Sequence, residues 1–301
     1  MSKLRSFLRE EFPFISAMPA IIWQIIFLII PVVVLVFKSF LLKGPSWNFT
    51  LENYYKILTS PYLRSILNSH FLAIATVFFC LLVSFPVANY IAFNVKKNKT
   101  LMLVLLMLPS WTNFIVRIYS WFLLFKNDGI VSKALSYLGL FGKTSHLLGN
   151  FPAVVVGMVY CYLPFMVLPV YSALCSIDSN IVEASADLGA TRWQTLRKII
   201  IPMAMPGIIS GSVLVYLSAF GEFAIPGILG AGKYAYWGDV VADRFVFLRD
   251  FRSGAALTVL GVSSLILPLI IIYISKWTVQ FLLRHKRFFK LSLFSQKSLS
   301  E

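Results

Sequence analysis

The sequence predicts an all-α, polytopic membrane protein with six transmembrane helices. Hydrophobic residues make up 58% of the 301 residues, charged residues only 13%, and the mean hydropathy is +0.80. Ordinary soluble domains do not have this composition. Each expected span is helical, because lipid cannot satisfy exposed backbone donors and acceptors. Six apolar stretches reach the roughly 20 residues that a spanning helix needs: 17–42, 66–95, 101–125, 152–175, 203–229 and 255–283.

The segments between these stretches are short and follow a simple order. The first apolar stretch is too long for a secretory signal peptide and no small-residue cleavage site follows it, so we expect a membrane span. A tight basic turn, 96–99, separates the second stretch from the third, and a polar loop, 176–202, leads into the fifth. The chain therefore divides into an N-terminal segment 1–16, a membrane domain 17–284 and a basic tail 285–301.

The net charge of +15 is typical of the positive-inside rule for membrane proteins. An even number of spans places both termini on one side, which then carries fourteen basic residues against ten on the other side, where the loops are longer. We therefore expect both termini and the 176–202 loop to be cytoplasmic. Binding to nucleic acid would need a basic face outside the lipid, and the tail alone is weak evidence for one.

The sequence shows no set of residues typical of an active site or a metal site. The three histidines are far apart and lack metal-ligand spacing, so we expect no metal and no cofactor. Residues 227–233 read G-x-x-x-x-G-K, but Tyr234 stands where a phosphate-binding loop needs Ser or Thr, and an apolar span precedes the segment. We therefore expect a glycine-rich turn there and no ATP hydrolysis by this chain.

The 176–202 loop carries signals for two short helices. Asn180 is predicted to cap the first, with Glu183 reaching back to it, and Gly189 to end it in a left-handed conformation. Thr191 opens a second helix by a capping box, and Pro202 is predicted to stop it before the fifth span. Two interpretations remain open on these grounds: a rigid lever that docks on a partner, or an amphipathic hairpin that lies on lipid.

Residues 183–189 read E-A-S-A-D-L-G, and nine residues later the chain continues I-x-I-P. This pattern resembles the EAA motif of the membrane subunits of binding-protein-dependent ABC importers, with Ser185 and Ile201 as mild departures. The resemblance covers essentially the whole chain and implies a type I (MetI-like) permease fold, in which this loop forms coupling helices that sit in a cleft of an ATPase subunit. By that analogy the docking residues and possible charged contacts are Glu183, Ala184, Gly189, Arg192 and Arg197.

The same resemblance implies the partners and the location of the chain. It predicts two copies of an ABC ATPase subunit, a second permease subunit and a periplasmic solute-binding protein. The chain would then be a non-catalytic subunit in the bacterial inner membrane.

The segment 220–226, F-G-E-F-A-I-P, is similar to the corresponding stretch of spermidine/putrescine permeases of the PotB and PotH type. This implies polyamines as the substrate. A permease for another small solute of the same family is the alternative. An ion-coupled secondary transporter is a rival from a different class, but it predicts several buried carboxylates and an inverted repeat, and neither is evident in this sequence.

Among the acidic residues only Glu222 lies well inside a predicted span, and Arg117 of the third span is its candidate partner. Glu222 is about seven residues from the outer end of its span and Arg117 about eight, so at a rise of 1.5 Å per residue they have similar depth. An ion pair between them and a contact of Glu222 with a cationic substrate are both open, and the two roles can coexist.

The remaining candidates for the substrate pathway are acidic and aromatic residues. Asp239 and Asp243 in the last outer loop are one helical turn apart and would share one face of a helix. They could line an entry vestibule or dock the binding protein, or they could be solvated charges near aromatic anchors. Trp111 and Tyr160 complete the candidate set, because aromatic faces attract cations.

Overall fold

The structure, a computed structural model, describes residues 17–41, 48–59, 62–137 and 147–267. These residues are helical apart from loops and one isolated antiparallel bridge between Leu41 and Phe49. In chain order the helices are α1 (Ala17–Ser39), α2 (Glu52–Leu58), α3 (Tyr62–Phe93), α4 (Lys99–Trp111), α5 (Phe114–Phe125), α6 (Ile130–Tyr137), α7 (Phe151–Cys175), α8 (Ser179–Asp187), α9 (Arg192–Phe220), α10 (Ala224–Leu229), α11 (Trp237–Ala242) and α12 (Phe251–Leu267).

The chain separates into two compact units. One contains residues 58–248, and the other contains residues 1–57 and 249–301. The larger unit holds α3 to α11 and all the candidate site residues, so it positions the functional site. The smaller unit holds α1, nearly all of α2, and α12.

Four described helices, α1, α3, α7 and α9, are long and apolar enough to cross a bilayer. The third predicted span is broken, because α4 and α5 meet at an angle of 84°, and the prediction of one continuous helix over 101–125 is corrected. Counted as one bent span, this pair brings the number to five. The sixth predicted span corresponds to α12, and its part beyond residue 267 lies outside the described residues.

The break between α4 and α5 has a clear local cause. The Asn113 side chain accepts hydrogen bonds from the backbone N–H groups of Ile115 (2.9 Å) and Val116 (3.3 Å), and so caps a new helix. Just before it, the Thr112 hydroxyl donates to the Pro109 carbonyl at 2.7 Å. These side chains satisfy backbone groups that a helix break would otherwise leave unpaired in an apolar setting.

Helix α9 also differs from the prediction, because it runs without interruption for 29 residues from Arg192 to Phe220. Pro202 does not end it. A wide turn over Leu196–Ile200, closed by the Ile201 N–H on the Leu196 carbonyl, shifts the hydrogen-bond register just before the proline. The second helix of the 176–202 loop and the fifth span are therefore one continuous element, which ends before the predicted residue 229.

The core of the larger unit is the packing of α3, α7 and α9 against one another. Its closest approach is at Gly207 of α9, where an added Cβ would lie 2.4 Å from the Pro169 carbonyl oxygen and 2.4 Å from the Ala173 Cβ. One turn further on, Gly211 lies against Met166. Small residues at a helix crossing let the backbones approach closely, as membrane helix pairs commonly do.

We predict that Gly207→Ala destabilises the protein by roughly 1–3 kcal/mol, because the methyl group has no space between α7 and α9. The measurement is the melting temperature of the purified protein in detergent. Gly221→Ala is the matched control, since a Cβ there would have its nearest neighbour at 3.9 Å. Equal melting temperatures for the two variants would contradict the close crossing.

Candidate functional site

Residues 178–195, which we call the elbow, form two helical segments joined by a short turn. The first segment, α8, is capped by Asp178, whose Oδ1 accepts from the Asn180 N–H at 3.0 Å. The predicted cap at Asn180 is therefore wrong, because Asn180 lies in the first turn and its side chain donates to Asp178 Oδ2 at 3.3 Å. Glu183 does not reach back to the cap, and its side chain is exposed.

The turn of the elbow follows the prediction. Gly189 adopts a left-handed conformation with φ of +80°, which an L side chain rarely adopts. Thr191 and Gln194 form the predicted capping box. The Gln194 backbone N–H donates to Thr191 Oγ1 at 3.3 Å, and the Thr191 backbone N–H donates to Gln194 Oε1 at 2.8 Å. The direction of α9 is thus set within a few residues of the end of α8.

All the residues predicted to contact an ATPase are exposed, four of them in the elbow and Arg197 just beyond it in α9. Glu183, Ala184, Gly189, Arg192 and Arg197 are exposed, and their docking role stays a prediction. The elbow also exposes three large apolar side chains that were not among the predicted contacts, Ile181 (41% accessible), Leu188 (88%) and Trp193 (66%). Their place beside the motif was visible in the sequence, but their exposure was not.

The second part of the site lies where α9 ends. The helix ends at Phe220, with Gly221 as its C-cap. Glu222 Oε1 then accepts hydrogen bonds from three backbone N–H groups, those of Phe223 (3.1 Å), Ala224 (2.8 Å) and Ile225 (3.3 Å). A carboxylate at this position caps α10 and is favoured by the partial positive charge of the helix start. Glu222 therefore lies at a helix break and not within a continuous span.

The other carboxylate oxygen of Glu222 accepts a hydrogen bond from the Tyr162 hydroxyl of α7. Tyr162 is buried, and no sequence pattern distinguishes it from the other aromatic residues of its span. The bond joins the α9–α10 break to the middle of α7. The Glu222 carboxylate therefore both caps α10 and holds α7 through Tyr162.

Among the described residues there is no recorded ion pair between Arg117 and Glu222, which was one of the two roles that the sequence left open. The bend after α4 directs Arg117 elsewhere, since its Nη1 donates to the Pro109 carbonyl at 3.5 Å and its guanidinium lies 5.5 Å from the Phe114 ring centroid. Arg117 is buried and its Nε has no hydrogen-bond partner. Both charges nevertheless act electrostatically on Tyr162, so they share one neighbourhood.

Helix α11 brings a second carboxylate to this break. A Cβ at Gly238 would lie 2.8 Å from the carbonyl oxygens of Gly221 and Glu222, so the start of α11 lies directly against the break. Asp239 follows, and a Cβ at Gly227 would lie 3.7 Å from its Oδ1. Burial raises the pKa of Asp239 to about 7, and the negative charges of Asp243 and Glu222 act in the same direction. We call Glu222 and Asp239 the acidic pair.

Aromatic and polar contacts fix the loop that carries Asp239. Trp237 stacks on Phe220 with ring centroids 4.9 Å apart, and its backbone N–H donates to Ser69 Oγ at 2.8 Å. The Asn68 side chain donates to the Ala235 carbonyl at 3.1 Å. The end of α9, the start of α11 and helix α3 therefore meet beside the acidic pair.

The other predicted pathway residues differ in position. Asp243 is exposed, one turn beyond Asp239. Trp111 is 75% accessible at the end of α4. The Tyr160 and Trp121 rings, whose centroids are 5.4 Å apart, both line an apolar cavity of about 510 Å³. In the described part of the chain, no recorded contact brings Trp111 or Tyr160 to the acidic pair.

Comparison with known proteins identifies the family. Residues 1–284 match the family described as "Binding-protein-dependent transport system inner membrane component". The chain belongs to this family. The predicted resemblance to ABC importer permease subunits is therefore confirmed, and with it the all-α permease fold.

Two of three similar relatives are named for a substrate. The chain is 35% identical over 241 residues to "Spermidine/putrescine transport system permease protein PotB" of Escherichia coli (strain K12), covering 79% of this chain and 88% of that protein. It is 35% identical over 256 residues to the protein of the same name in Haemophilus influenzae, covering 83% and 89%. It is 31% identical over 226 residues to the E. coli "Inner membrane ABC transporter permease protein YdcU", covering 71% and 72%.

A solved structure shares the fold at lower identity. It is the crystal structure of a bacterial ABC transporter involved in the import of the acidic polysaccharide alginate, with a TM-score of 0.71 and 19% identity over 91% of this chain and 98% of that one. At this identity the likeness shows the fold alone.

We predict that Glu222→Ala lowers the stability by about 1 kcal/mol, because three N–H groups at the start of α10 lose their acceptor. Glu222→Gln should lose less, since its amide oxygen can still accept from the Ala224 N–H. The measurement is thermal unfolding in detergent, with Asp243→Ala as the control for loss of an exposed carboxylate. If Glu222→Ala and Asp243→Ala unfold at the same temperature, the capping role is wrong.

Proposed function

We propose that this chain is a permease subunit of an ATP-driven ABC importer that moves polyamines such as spermidine and putrescine into the cytoplasm. The observation that carries the proposal is the 35% identity, over most of both chains, to permeases named for spermidine and putrescine transport. The chain would work with two ATPase subunits, a second permease subunit and a periplasmic solute-binding protein. Both of its termini would be cytoplasmic, and ATP hydrolysis would belong to the ATPase partners.

The chemistry of the acidic pair supports a cationic substrate. Polyamines are protonated amines at neutral pH, and carboxylates and aromatic faces are the groups that attract them. Asp239 is partly buried beside Glu222, and Trp237 and Phe220 stack close to them. Because the cap of α10 and Tyr162 already use Glu222, we assign the main substrate contact to Asp239.

The elbow supports a partner-driven mechanism. Its exposed face would receive the motion of the ATPase, and the continuous helix α9 leads from Arg192 to the residue before the Gly221 break. A movement of the elbow would therefore reach the acidic pair through one helix. In this account ATP binding and hydrolysis move the membrane spans between outward-open and inward-open states.

The direct test is the uptake of radiolabelled spermidine by vesicles that contain this chain together with the proposed ATPase, second permease and binding-protein partners. We expect uptake that requires ATP and the binding protein. Uptake by this chain alone, without nucleotide, would contradict the proposal. Import of a different solute with no spermidine uptake would keep the ABC permease assignment and overturn the substrate.

We predict that Asp239→Asn reduces spermidine uptake at least tenfold at pH 8, because the neutral amide cannot pair with an ammonium group. Since the pKa of Asp239 is raised to about 7, its carboxylate gains a proton as the external pH falls from 8 to 6, and wild-type uptake should fall. The Asn variant should lack this component of the pH dependence. Asp128→Asn, at an exposed carboxylate distant in sequence, is the control. Equal pH profiles for the wild type and Asp239→Asn would contradict the assignment.

We predict that Glu183→Arg uncouples ATP hydrolysis from uptake while the subunit still inserts and assembles. The side chain is exposed on α8, so charge reversal should disturb docking and leave the fold intact. The measurement is the amount of spermidine imported for each ATP hydrolysed in reconstituted vesicles. Asp128→Arg is the control for the same charge change elsewhere. Unchanged uptake in Glu183→Arg would rule out a docking role for this residue.

A further inference from the structure

The elbow contains a buried hydroxyl pair, one member of which, Ser185, departs from the EAA pattern that residues 183–189 resemble. Ser185 of α8 and Thr195 of α9 are each only 6% accessible, and their side-chain oxygens lie 2.9 Å apart. Ser185 is the one buried residue of α8, and Thr195 is the one buried residue of 192–195. The inner contact between the two elbow segments is therefore polar, where an apolar pair would be the ordinary choice.

The direction of this hydrogen bond follows from the neighbouring contacts. Ser185 Oγ lies 2.7 Å from the Val182 carbonyl oxygen, which can only accept, so the single hydroxyl hydrogen of Ser185 is donated there. The Thr195 hydroxyl must then be the donor between the two side chains, and Ser185 Oγ the acceptor. The Ser185 backbone carbonyl also accepts from the Ala190 N–H at 3.0 Å. Ser185 is thus the point at which α8, the turn and α9 are joined.

The position of the pair matters because it lies beside the Gly189 turn that joins α8 to α9. Gly189 has no side chain and nothing lies within 4 Å of the place a Cβ would occupy, so this residue itself contributes no side-chain packing to the turn. The backbone hydrogen bonds of the turn close the end of α8. The bond between Ser185 and Thr195 is a side-chain hydrogen bond that joins α8 to α9 across this turn.

We propose that the Ser185–Thr195 hydrogen bond is a positioning clasp that makes α8 and α9 move as one body, so that force on the exposed face of α8 reaches the membrane span. The proposal rests on the proposed function, because it assigns the coupling of ATP hydrolysis to transport to these two residues. Without the clasp, α8 would bend at Gly189 when the ATPase moves it. ATP hydrolysis would continue, but less of the motion that each ATP cycle produces would reach α9.

The test uses the complete importer reconstituted in vesicles with radiolabelled spermidine. The variants are Ser185→Ala, Thr195→Val and the double variant, and the readout is spermidine imported for each ATP hydrolysed. We expect the rate of ATP hydrolysis to stay within about twofold of the wild type. The import ratio should fall about fivefold in each single variant, the factor that the net strength of one hydrogen bond corresponds to. The double variant should fall no further than the single ones, since both remove the same bond.

Two control variants separate positioning from general damage. Thr195→Ser keeps the hydroxyl and should retain the wild-type import ratio. Ser176→Ala makes the same chemical change at an exposed serine, whose hydroxyl donates to the Ala173 carbonyl of its own helix, and should also leave the ratio unchanged. Rescue by Thr195→Ser together with loss in Thr195→Val would support the clasp.

Several results would overturn the proposal. An unchanged import ratio in Ser185→Ala and Thr195→Val, or losses that add in the double variant, would show that the bond does not couple the segments. Failure of the single variants to assemble, when Thr195→Ser assembles, would show that the pair is needed for folding. If the wild-type importer does not take up spermidine with ATP, the proposed function fails instead, and any substrate that it does import serves for the same comparison.

Discussion

A helix that stops inside an apolar bundle must have its free backbone N–H groups satisfied from within the protein, because lipid offers no acceptor. Two breaks in the larger unit meet this constraint with a side chain placed at the start of the following helix. Asn113 supplies the acceptor after the bend between α4 and α5, and Glu222 supplies it after α9. These two residues permit the chain to depart from simple straight spans, and the functional site lies around the second departure.

Glu222 shows how the constraint and the function are connected. One oxygen of its carboxylate caps α10, and the other accepts from Tyr162 of α7. A cationic substrate that approached Glu222 would therefore compete with contacts that hold the break together. Asp239 has a hydrogen bond with the Tyr236 backbone that lowers its pKa, but burial outweighs this bond, so the raised pKa reflects a poorly solvated carboxylate. A bound cation would offset the poor solvation of the Asp239 carboxylate. In the proposed polyamine pathway Asp239 would therefore bind the substrate, and Glu222 would exchange its present contacts for the substrate.

The sequence predicted the features that depend on local chemistry. The apolar stretches marked the helices, Gly189 marked the left-handed turn, and Thr191 with Gln194 marked the second cap. The sequence did not predict features that depend on contacts between distant residues or on two opposing local signals. Pro202 suggested a helix end, but the wide turn before it let α9 continue. Similar depth in two spans suggested an ion pair for Arg117 and Glu222, but the bend at Asn113 turned Arg117 toward Pro109, and Tyr162 took the place beside Glu222.

The central claim is that the elbow and the fifth span form one rigid lever. Pulsed electron paramagnetic resonance tests it most directly, with spin labels at the exposed positions Asp187 and Leu217 and with the exposed Cys175 replaced by serine. The labels report the distance along the lever in the assembled importer, at rest and with nucleotide trapped in the ATPase. The account predicts the same distance distribution in both states, in vesicles that import substrate. A distribution that shifts or broadens on nucleotide trapping would contradict it, because the motion would then be absorbed at the turn and not passed to the membrane.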